Sequence, residues 1–449
     1  MCPSDKTLGF PFRSNTMEMR LPKTEKKRIV IVGGGFGGLN LAQSLKGTDF
    51  QIVLIDQHNH HNFQPLLYQI ATAGLMPDAI VAPFRNIFSK QDNLFFRMAR
   101  VEKIDDEKKQ IETDIGSAHY DYLVLATGAT TNFFGMDRVE QHAYTLKSIE
   151  EALELRSAFI QYLEAAVSRQ DMDENECMHF VLIGGGPTGL EMAGALAELK
   201  KNEIKKGYPD LDNDRIKIHL IEMGNELLAP MSDESSATAL KYVQDMGVKV
   251  WLNTAIEDYK DGQVILSNGE HLQTPMLFYA AGVTGDAPEG LVKAEMARGN
   301  RIVVDPHTKV KGYEHIFAIG DIAAMPDPEN GHPHPQLAQP AIQQGKYLAK
   351  YIKKGCPSDY QGFQYKDLGT MATIGKKKAV ADLPWGKFRG TFAWLMWLFV
   401  HVMSLVAFRN RINVIVNWTM SYFSTHKKYK IITRSPRVLP KAKEEELIS

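Results

Sequence analysis

The sequence predicts an α/β protein with two Rossmann-type dinucleotide-binding folds and a C-terminal amphipathic helical segment, and three observations lead there. A GxGxxG turn occurs twice, each time directly after a short apolar run: Gly33-Gly-Gly-Phe-Gly-Gly38 follows Arg28–Val32, and Gly184-Gly-Gly-Pro-Thr-Gly189 follows Phe180–Ile183. Each turn opens a helical pattern, and beyond it a second apolar run ends in an acid, Asp56 in the first copy and Glu222 in the second. Thirdly, the flat net charge of −1 over 449 residues conceals a split. Residues 376–443 hold 14 Lys and Arg against one acid, Asp382, a local net of +13, so the rest of the chain carries −14. An acidic body with one basic, apolar end suggests an interaction surface at that end.

Taken in order, residues 1–26 are a polar extension with no apolar stretch of the kind a secretory leader carries, and poor order is expected there. Arg28–Val32 is β-branched and apolar, as a strand buried on both faces of a parallel sheet must be. Leu39–Leu45 continues as a helix and Gln51–Asp56 reads as the next strand; Asp56 falls 18 residues after Gly38, near the interval at which an acid meets a ribose. Tyr122-Leu-Val-Leu-Ala-Thr-Gly128 is a further strand closing on a glycine turn, and Met276-Leu-Phe-Tyr-Ala-Ala-Gly282 is the same element in the second copy. There, Leu190–Leu199 reads as the helix and Ile216–Glu222 as the strand. Glu222 lies 33 residues past Gly189, so charged Lys200–Arg215 reads as an excursion. His315-Ile-Phe-Ala-Ile-Gly-Asp321 is a third strand. A helix runs from after Pro335 to about Tyr351, and Tyr365–Ala381 fits two short strands around Gly375. The expected organisation is a 1–26 extension, a first dinucleotide domain in two parts (27–145 and 301–384), a second at 146–300, and a membrane-association segment at 385–449.

A hydrophobic content of 44% with 23% charged residues is that of an ordinary globular protein with a sizeable core. Three cysteines, Cys2, Cys177 and Cys356, form no CxxC or CxxxxC pair, which argues against a disulfide framework, a thiolate metal site and a redox dithiol. The 14 histidines show no metal-ligand spacing. His58, His60 and His61 cluster after Asp56, and His332 and His334 flank prolines; satisfied or solvent-exposed imidazoles are expected, and no metal. Base-stacking motifs are missing, so no nucleic-acid partner is expected.

The glycines have a physical job. The first permits the tight turn, the second lets backbone approach a pyrophosphate, and the third lets helix and strand pack closely. The helix N-terminus then presents unpaired N–H groups and a partial positive charge to the phosphates. Candidate contacts are therefore Gly33, Gly35, Phe36, Gly37 and Gly38 in the first copy, and Gly184, Gly186, Pro187, Thr188 and Gly189 in the second. Asp56 and Glu222 would accept hydrogen bonds from ribose hydroxyls. A 2′-phosphate beside Glu222 would be repelled and has no adjacent Arg, which favours NADH over NADPH. Two dinucleotides in one chain imply a hydride relay from nicotinamide to a flavin, which can then release single electrons.

Gly33–Gly38, the Ala126-Thr127-Gly128 turn, Gly184–Gly189 and the Ile319-Gly320-Asp321 end together resemble the two-dinucleotide flavoprotein superfamily. That resemblance implies FAD in the first fold and NADH in a second fold inserted into it, with Gly320 and Asp321 at the ribityl chain and Gly282 among the nucleotide contacts. Disulfide reductases of the superfamily carry a cysteine pair after the first βαβ. This chain instead has His60-His-Asn-Phe-Gln-Pro-Leu-Leu-Tyr-Gln-Ile-Ala-Thr-Ala73. That stretch, and Ala338-Gln-Pro-Ala-Ile-Gln-Gln-Gly345, are similar to the type II NADH:quinone oxidoreductases, over roughly residues 27–430. The likeness places Gln64 among the flavin contacts and implies that the helix after Pro335 forms part of a quinone site, with Gln339 and Gln343, at i and i+4 on one face, as quinone contacts. The dipole at that helix's start, near Gln336, could stabilise an anionic reduced flavin. The likeness puts Glu191 between nicotinamide and flavin, positioning substrates or supplying protons; a first-turn Glu complementing its helix dipole is an equally open reading. Lys378 lies near the quinone channel by family position, although lysines facing lipid are the plainer reading of Lys376–Lys378.

Phe392–Phe408 is apolar except for His401 and Ser404, and its 17 residues fall short of the ~20 that a bilayer span needs. The following Ile412–Phe423 carries Asn413, Asn417 and Ser421 as a polar stripe. Two short helices with basic flanks suit a protein lying in the membrane interface, with His426–Lys430, Arg434, Arg437, Lys441 and Lys443 drawn to an anionic leaflet. A single span would put a basic tail on the wrong side, and a buried homodimer interface could share the same apolar surface. The expected activity is therefore a non-pumping respiratory NADH dehydrogenase that uses FAD and reduces a membrane quinone, at the cytoplasmic face of the inner (cell) membrane. A soluble NADH reductase of a protein acceptor such as ferredoxin is the alternative. A sulfide:quinone reductase would need the cysteines that are missing, and an NADH sensor with a structural flavin would not turn over.

Overall fold

The computed structural model describes residues 17–168, 177–328, 331–423 and 431–433. The expected basic run His426–Lys430, with Arg434, Arg437, Lys441 and Lys443, lies outside the described residues, as do residues 1–16 of the extension.

In chain order the elements that matter are β1 (Arg28–Val32), α1 (Phe36–Ser44), β2 (Gln51–Asp56), α2 (Leu67–Ala71), β3 (Leu94–Met98) and β4 (Tyr122–Leu125). Then come α3 (Ile149–Ser168), β5 (Met178–Ile183), α4 (Pro187–Leu199), β6 (Ile216–Ile221), α5 (Asp233–Asp245), β7 (Val248–Trp251) and β8 (Met276–Tyr279). Last are β9 (Ile316–Ala318), α6 (Ala338–Lys353), β10 (Thr370–Gly375), β11 (Lys378–Leu383), β12 (Gly386–Arg389), α7 (Gly390–Ser404) and α8 (Phe408–Phe423).

Two compact units result. The first comprises residues 1–61, 82–130 and 283–367. Its parallel sheet has the order β9-β4-β1-β2-β3, with Ile29 opposite Ile52 on one side and Tyr122 on the other. Ile29, Val30 and Ile31 are wholly buried, the consequence of helices covering both faces of a parallel sheet. The polar extension is not loose from Met17 onward. Met19 donates its N–H to Ser117 O at 2.7 Å, and its side chain joins the hydrophobic core of this unit. An apolar residue with an unpaired sheet edge beside it is enough to pin a polar segment.

The second unit comprises residues 62–81, 131–282 and 368–449. Its parallel sheet runs β7-β6-β5-β8, again strand-buried throughout the middle. These units divide the chain elsewhere than at 145/146, 300/301 and 384/385, because packing decides membership. The antiparallel sheet β10-β11-β12 lies on α4, and the approach is close enough that a Cβ on Gly194 would fall 1.6 Å from the Ile374 carbonyl oxygen. β12 was not foreseen. Nor is Lys200–Arg215 wholly an excursion: α4 runs on through a π-helical turn, Lys200–Ile204, because Glu203 and Ile204 are buried there.

α7 and α8 follow in the second unit, and no helix among the described residues is long and apolar enough to cross a membrane. Their outer faces are apolar: Phe392, Leu395, Phe399 and Met403 on α7, with Phe408, Ile412, Ile415, Val416 and Met420 on α8, are all exposed. Asn413 and Asn417 of the expected polar stripe are only half-exposed, and Asn410 is buried with its amide on Val81 O at 2.7 Å. The inversion of the usual pattern, apolar outward and polar inward, is a property of the helix and not of its composition.

Candidate functional site

Each unit carries one glycine turn at the carboxyl ends of its parallel strands, built the same way. In the first, Gly33 has φ +100°, donates to Ile55 O at 2.8 Å, and lies so close to the neighbouring strand end that a Cβ would sit 2.2 Å from Ala126 O. In the second, Gly184 has φ +111° and donates to Ile221 O at 2.8 Å. The third glycines, Gly38 and Gly189, would each place a Cβ 1.9 Å from the carbonyl oxygen of the first. By contrast a Cβ on Gly35 or Gly186 would meet nothing within 4 Å. The outer glycines are therefore required by the protein's own packing, and the middle ones leave room where a ligand could approach. Neither α1 nor α4 has a side-chain cap or an acid in its first turn, so their first N–H groups stay available to an anion. Phe36 opens α1, and Pro187 opens α4 with its missing N–H at a harmless position.

The two acids brace these turns. Asp56 accepts from Gly34 N–H at 2.7 Å and from His58 N–H at 2.8 Å. Glu222 accepts from Gly185 N–H and Gly224 N–H, both at 2.6 Å. An ionised carboxylate has about four acceptor positions, so each acid can still take a ribose hydroxyl. While His58 of the same cluster is exposed, His61 is buried. Its Nδ1 lies 3.0 Å from Gly34 O, its ring is edge-on to Phe36, and burial holds its pKa below the usual imidazole value. A carbonyl can only accept, so the Nδ1–H tautomer is fixed and Nε2 is left without a partner. His334 is likewise buried, with neither ring nitrogen in a hydrogen bond and Asp327 Oδ2 at 3.5 Å. Among the described residues no group of three or more His, Cys, Asp and Glu could hold a metal ion.

Within the first unit, Ala126 is buried, Gly128 has φ +77°, and Thr127 Oγ1 is buried without any hydrogen-bond partner. An orphaned hydroxyl in the strand-end turn beside Gly33 fits a bound polar group. The Gly320–Asp321 turn is held by α6 and the segment just before it: Gln344 Oε1 of α6 accepts from Gly320 N–H at 2.7 Å, and Gln336 donates to Asp321 O at 3.1 Å. Arg301 is half-desolvated, which lowers its pKa, while Asp321 nearby raises it. Of the two glutamines singled out on α6, Gln343 is committed elsewhere. Its amide donates to Lys366 O at 2.9 Å and accepts from Lys366 N–H at 3.0 Å. The side chain of Gln339, half-exposed, makes no hydrogen bond among the described residues. Gln344, not predicted, is the buried glutamine that reaches the turn. Nothing in one sequence separates these three.

Within the second unit, Glu191 is buried under β10 and α7. Burial pushes its pKa up to about 8, against a lowering by the Thr373 N–H and the Trp397 indole. Trp397 is wholly buried and its N–H faces this carboxylate from just outside a well-formed hydrogen bond. A surface glutamate serving the helix dipole would be neither buried nor so perturbed. Tyr68 of α2 is buried close enough that the Glu191 charge helps raise its pKa, after burial itself. His401 stacks on Trp397 at 3.9 Å, and burial lowers its pKa to about 4. Gln64 is exposed, with its amide 3.3 Å from Lys147 O. Gly282 is covered by the ring of Phe134, 2.6 Å from where a Cβ would stand. Lys378 begins β11 with its ammonium 5.7 Å from the Tyr242 ring.

Comparison with known proteins agrees with this construction. The pyridine nucleotide-disulphide oxidoreductase family model matches residues 27–345, and the NDH2 C-terminal domain matches residues 368–426. The chain is 33% identical over 426 residues to the type II NADH:quinone oxidoreductase Ndh of Mycobacterium tuberculosis, covering 91% of this chain and 90% of that one. It is 34% identical over 428 residues to NdhA of the same organism, with the same coverage. In fold it is similar to NDH2 of Plasmodium falciparum solved with NADH, at a TM-score of 0.84 and 23% identity, covering 89% of this chain and 99% of that one.

Proposed function

The chain belongs to the type II NADH:quinone oxidoreductases, and we infer that it is a non-proton-pumping respiratory NADH dehydrogenase. The reaction takes a hydride from NADH and, with one further proton, turns a membrane quinone into quinol. The observation that carries this reading is the duplicated turn, two uncapped helix starts each with an open middle glycine and a strand-end carboxylate, in a chain without a cysteine pair. FAD, when bound, supplies the hydride acceptor and the electrons that reach quinone.

The residues divide the remaining work. Gly33, Gly35, Phe36, Gly37, Gly38, Ala126–Gly128, Gly320 and Asp321, with Gln64, are proposed to hold FAD, and the unpartnered Thr127 hydroxyl supports that assignment. Gly184, Gly186, Pro187, Thr188, Gly189 and Gly282 are proposed for NADH, with Glu222 taking the ribose hydroxyls and repelling a 2′-phosphate. Glu191 holds one exchangeable proton near neutral pH, which suits a group that must give up and regain it. Gln339 is the better quinone contact on α6, since Gln343 must first release Lys366; Lys378 is kept as a secondary candidate. The reading with a soluble protein acceptor is not favoured by the relatives named above.

The C-terminal helices are proposed to rest on an anionic bilayer at the cytoplasmic face, with part of the same surface open to a second copy of the chain. The outward apolar face of α7 and α8 supports this. Purified protein tests the whole reading: NADH should bleach the flavin and a quinone should restore its absorbance. Bleaching with no reoxidation by quinone sinks the quinone assignment.

A further inference from the structure

Phe133–Met136 make a tight turn that their sequence does not favour. Met136 donates its N–H to Phe133 O at 3.0 Å, and the two central residues, Phe134 and Gly135, have φ +52° and +80°. Positive φ at both central positions is the pattern of a type I′ turn, whose usual pair is Asn-Gly. Glycine takes the second position without strain. Phe at the first is the exception, since a bulky side chain is held there against its own backbone preference. Packing does not explain it. Phe133 is the packing residue of the pair: its ring lies 4.8 Å from that of Tyr279, against the core of this unit. Phe134 is 62% exposed. Its ring rests on Gly282, where a Cβ would fall 2.6 Å from Cε2. The turn is tied down around that contact. Asn132 accepts the Phe134 N–H on Oδ1 at 2.9 Å and donates its own N–H to Gly282 O at 3.1 Å. A strained, exposed aromatic fixed at a strand end is not what folding alone selects.

That strand end borders the second glycine turn. A Cβ on Gly184 would come within 2.7 Å of Ala280 O and 3.0 Å of Ala281 Cα, and Gly282 is the next residue. The sheet order then says which part of a dinucleotide would lie there. β5, which feeds the turn and α4, has β6 on one side and β8 on the other. A dinucleotide lies across the carboxyl ends of such strands, with its pyrophosphate at the start of the helix. With Glu222 at the end of β6 taking the adenosine ribose, the other nucleoside extends over the end of β8, the side of Gly282 and Phe134. We propose that Phe134 is a substrate-binding residue: its ring, held out by the strained turn, forms an apolar wall against the nicotinamide–ribose half of NADH. The proposal rests on the assignment of the second turn to NADH. It also gives Gly282 its role, since a side chain there would displace the ring. A flat aromatic face matches the flat, uncharged dihydronicotinamide ring, and a fixed backbone means that little freedom is lost when the two meet.

Phe134→Gly and Phe134→Asn both remove the ring, and both residues accept a left-handed φ, so the turn is kept and the melting temperature should not fall. Rapid mixing of the holoenzyme with rising NADH, quinone omitted, gives a Kd from the saturation of flavin bleaching. That Kd should rise about three- to tenfold in both variants, the range of one aromatic contact. ADP carries the adenosine and the pyrophosphate but no nicotinamide. It competes for the same turn, and its inhibition constant should stay at the parent value. A ring that merely supported the turn would weaken NADH and ADP together. That outcome overturns the proposal, as does an unmoved NADH Kd in either variant that folds. Quinone takes no part in the measurement, so the quinone assignment can fail without touching it. Failure of the NADH assignment shows separately, as parent flavin that NADH does not bleach.

Discussion

Replacing Glu191 by Gln exposes the energetic consequence of burying an acid in α4. Its pKa lies at about 8 in the folded protein against 4.5 for an unperturbed carboxyl, and burial is the main cause. Below pH 4.5 both folded and unfolded chains hold the proton and there is no penalty. Between the two values the unfolded chain releases it while the folded chain keeps it, so stability falls as pH rises. Above about pH 8 both are ionised and the full penalty applies. A difference of about 3.5 pH units is worth about 5 kcal/mol at ~1.4 kcal/mol each. Gln cannot ionise, yet its carbonyl oxygen can still accept from Thr373 N–H, so Glu191→Gln escapes the penalty without leaving that donor unpaired. The variant should therefore gain on the parent progressively from about pH 5 to pH 8 and then hold a constant lead. Thermal melting of both proteins at matched pH values measures this, and the widening should amount to several degrees, at about 2 °C per kcal/mol for a unit of this size. A difference in melting temperature that stays flat from about pH 5 to pH 9 would refute the reasoning, because it would mean that Glu191 is ionised in the folded chain at all these pH values.

The glycine turns give a selective pair. Gly38→Ala and Gly189→Ala each force a Cβ to within 1.9 Å of a carbonyl oxygen. The first should abolish flavin absorbance, and the second should leave flavin in place while NADH no longer reduces it. On α6, Gln344→Leu strands the Gly320 N–H, at a cost of about 1–3 kcal/mol, and should speed flavin loss on dialysis. Gln343→Ala breaks only the Lys366 clasp and should retain flavin. On the outer face of the C-terminal helices, Phe399→Glu with Phe408→Glu places charge where two exposed aromatics now stand. Flotation with anionic vesicles should fall sharply while flavin content and NADH bleaching in solution stay at parent levels.

What could be read from the sequence was what is local. A glycine needed for φ +100° or +111° leaves its mark at one position, and the strand, turn, helix and acid around it lie within one βαβ unit. What escaped was what folding brings together from afar. Gln343 and Gln344 are neighbours with the same side chain; one clasps Lys366 and the other holds Gly320, and only the three-dimensional path of residues 320 and 366 decides which. The sheet of residues 370–389 reads as an appendage of the first fold until Gly194 is seen to admit it against α4. Trp397 and Trp418 have the composition of membrane-interface residues, yet both also turn inward, toward Glu191 and Gln69. Periodicity cannot tell an indole facing lipid from one facing a buried acid.

The two turns are alike in backbone and unlike in cover, and the difference bears on what each should hold. In the first, Gly37 lies within 3.4 Å of a Cβ path to Ile319 and Ala341, His61 backs Gly34, and the Phe84 ring would be 2.1 Å from a Cβ there. In the second, Pro187 and Thr188 are exposed, and Met223, next to Glu222, is 76% exposed. A resident group gains from being enclosed, since slow release follows from the contacts that must break together. A substrate that leaves after every turnover gains from an open rim, because dissociation then requires no rearrangement of the turn. The same motif can thus serve a cofactor and a substrate, with the surroundings of the turn setting the residence time. Gel filtration after loading with both dinucleotides distinguishes them: flavin should travel with the protein and NADH should not. Retention of NADH, or loss of flavin, would separate cover from residence and remove the argument.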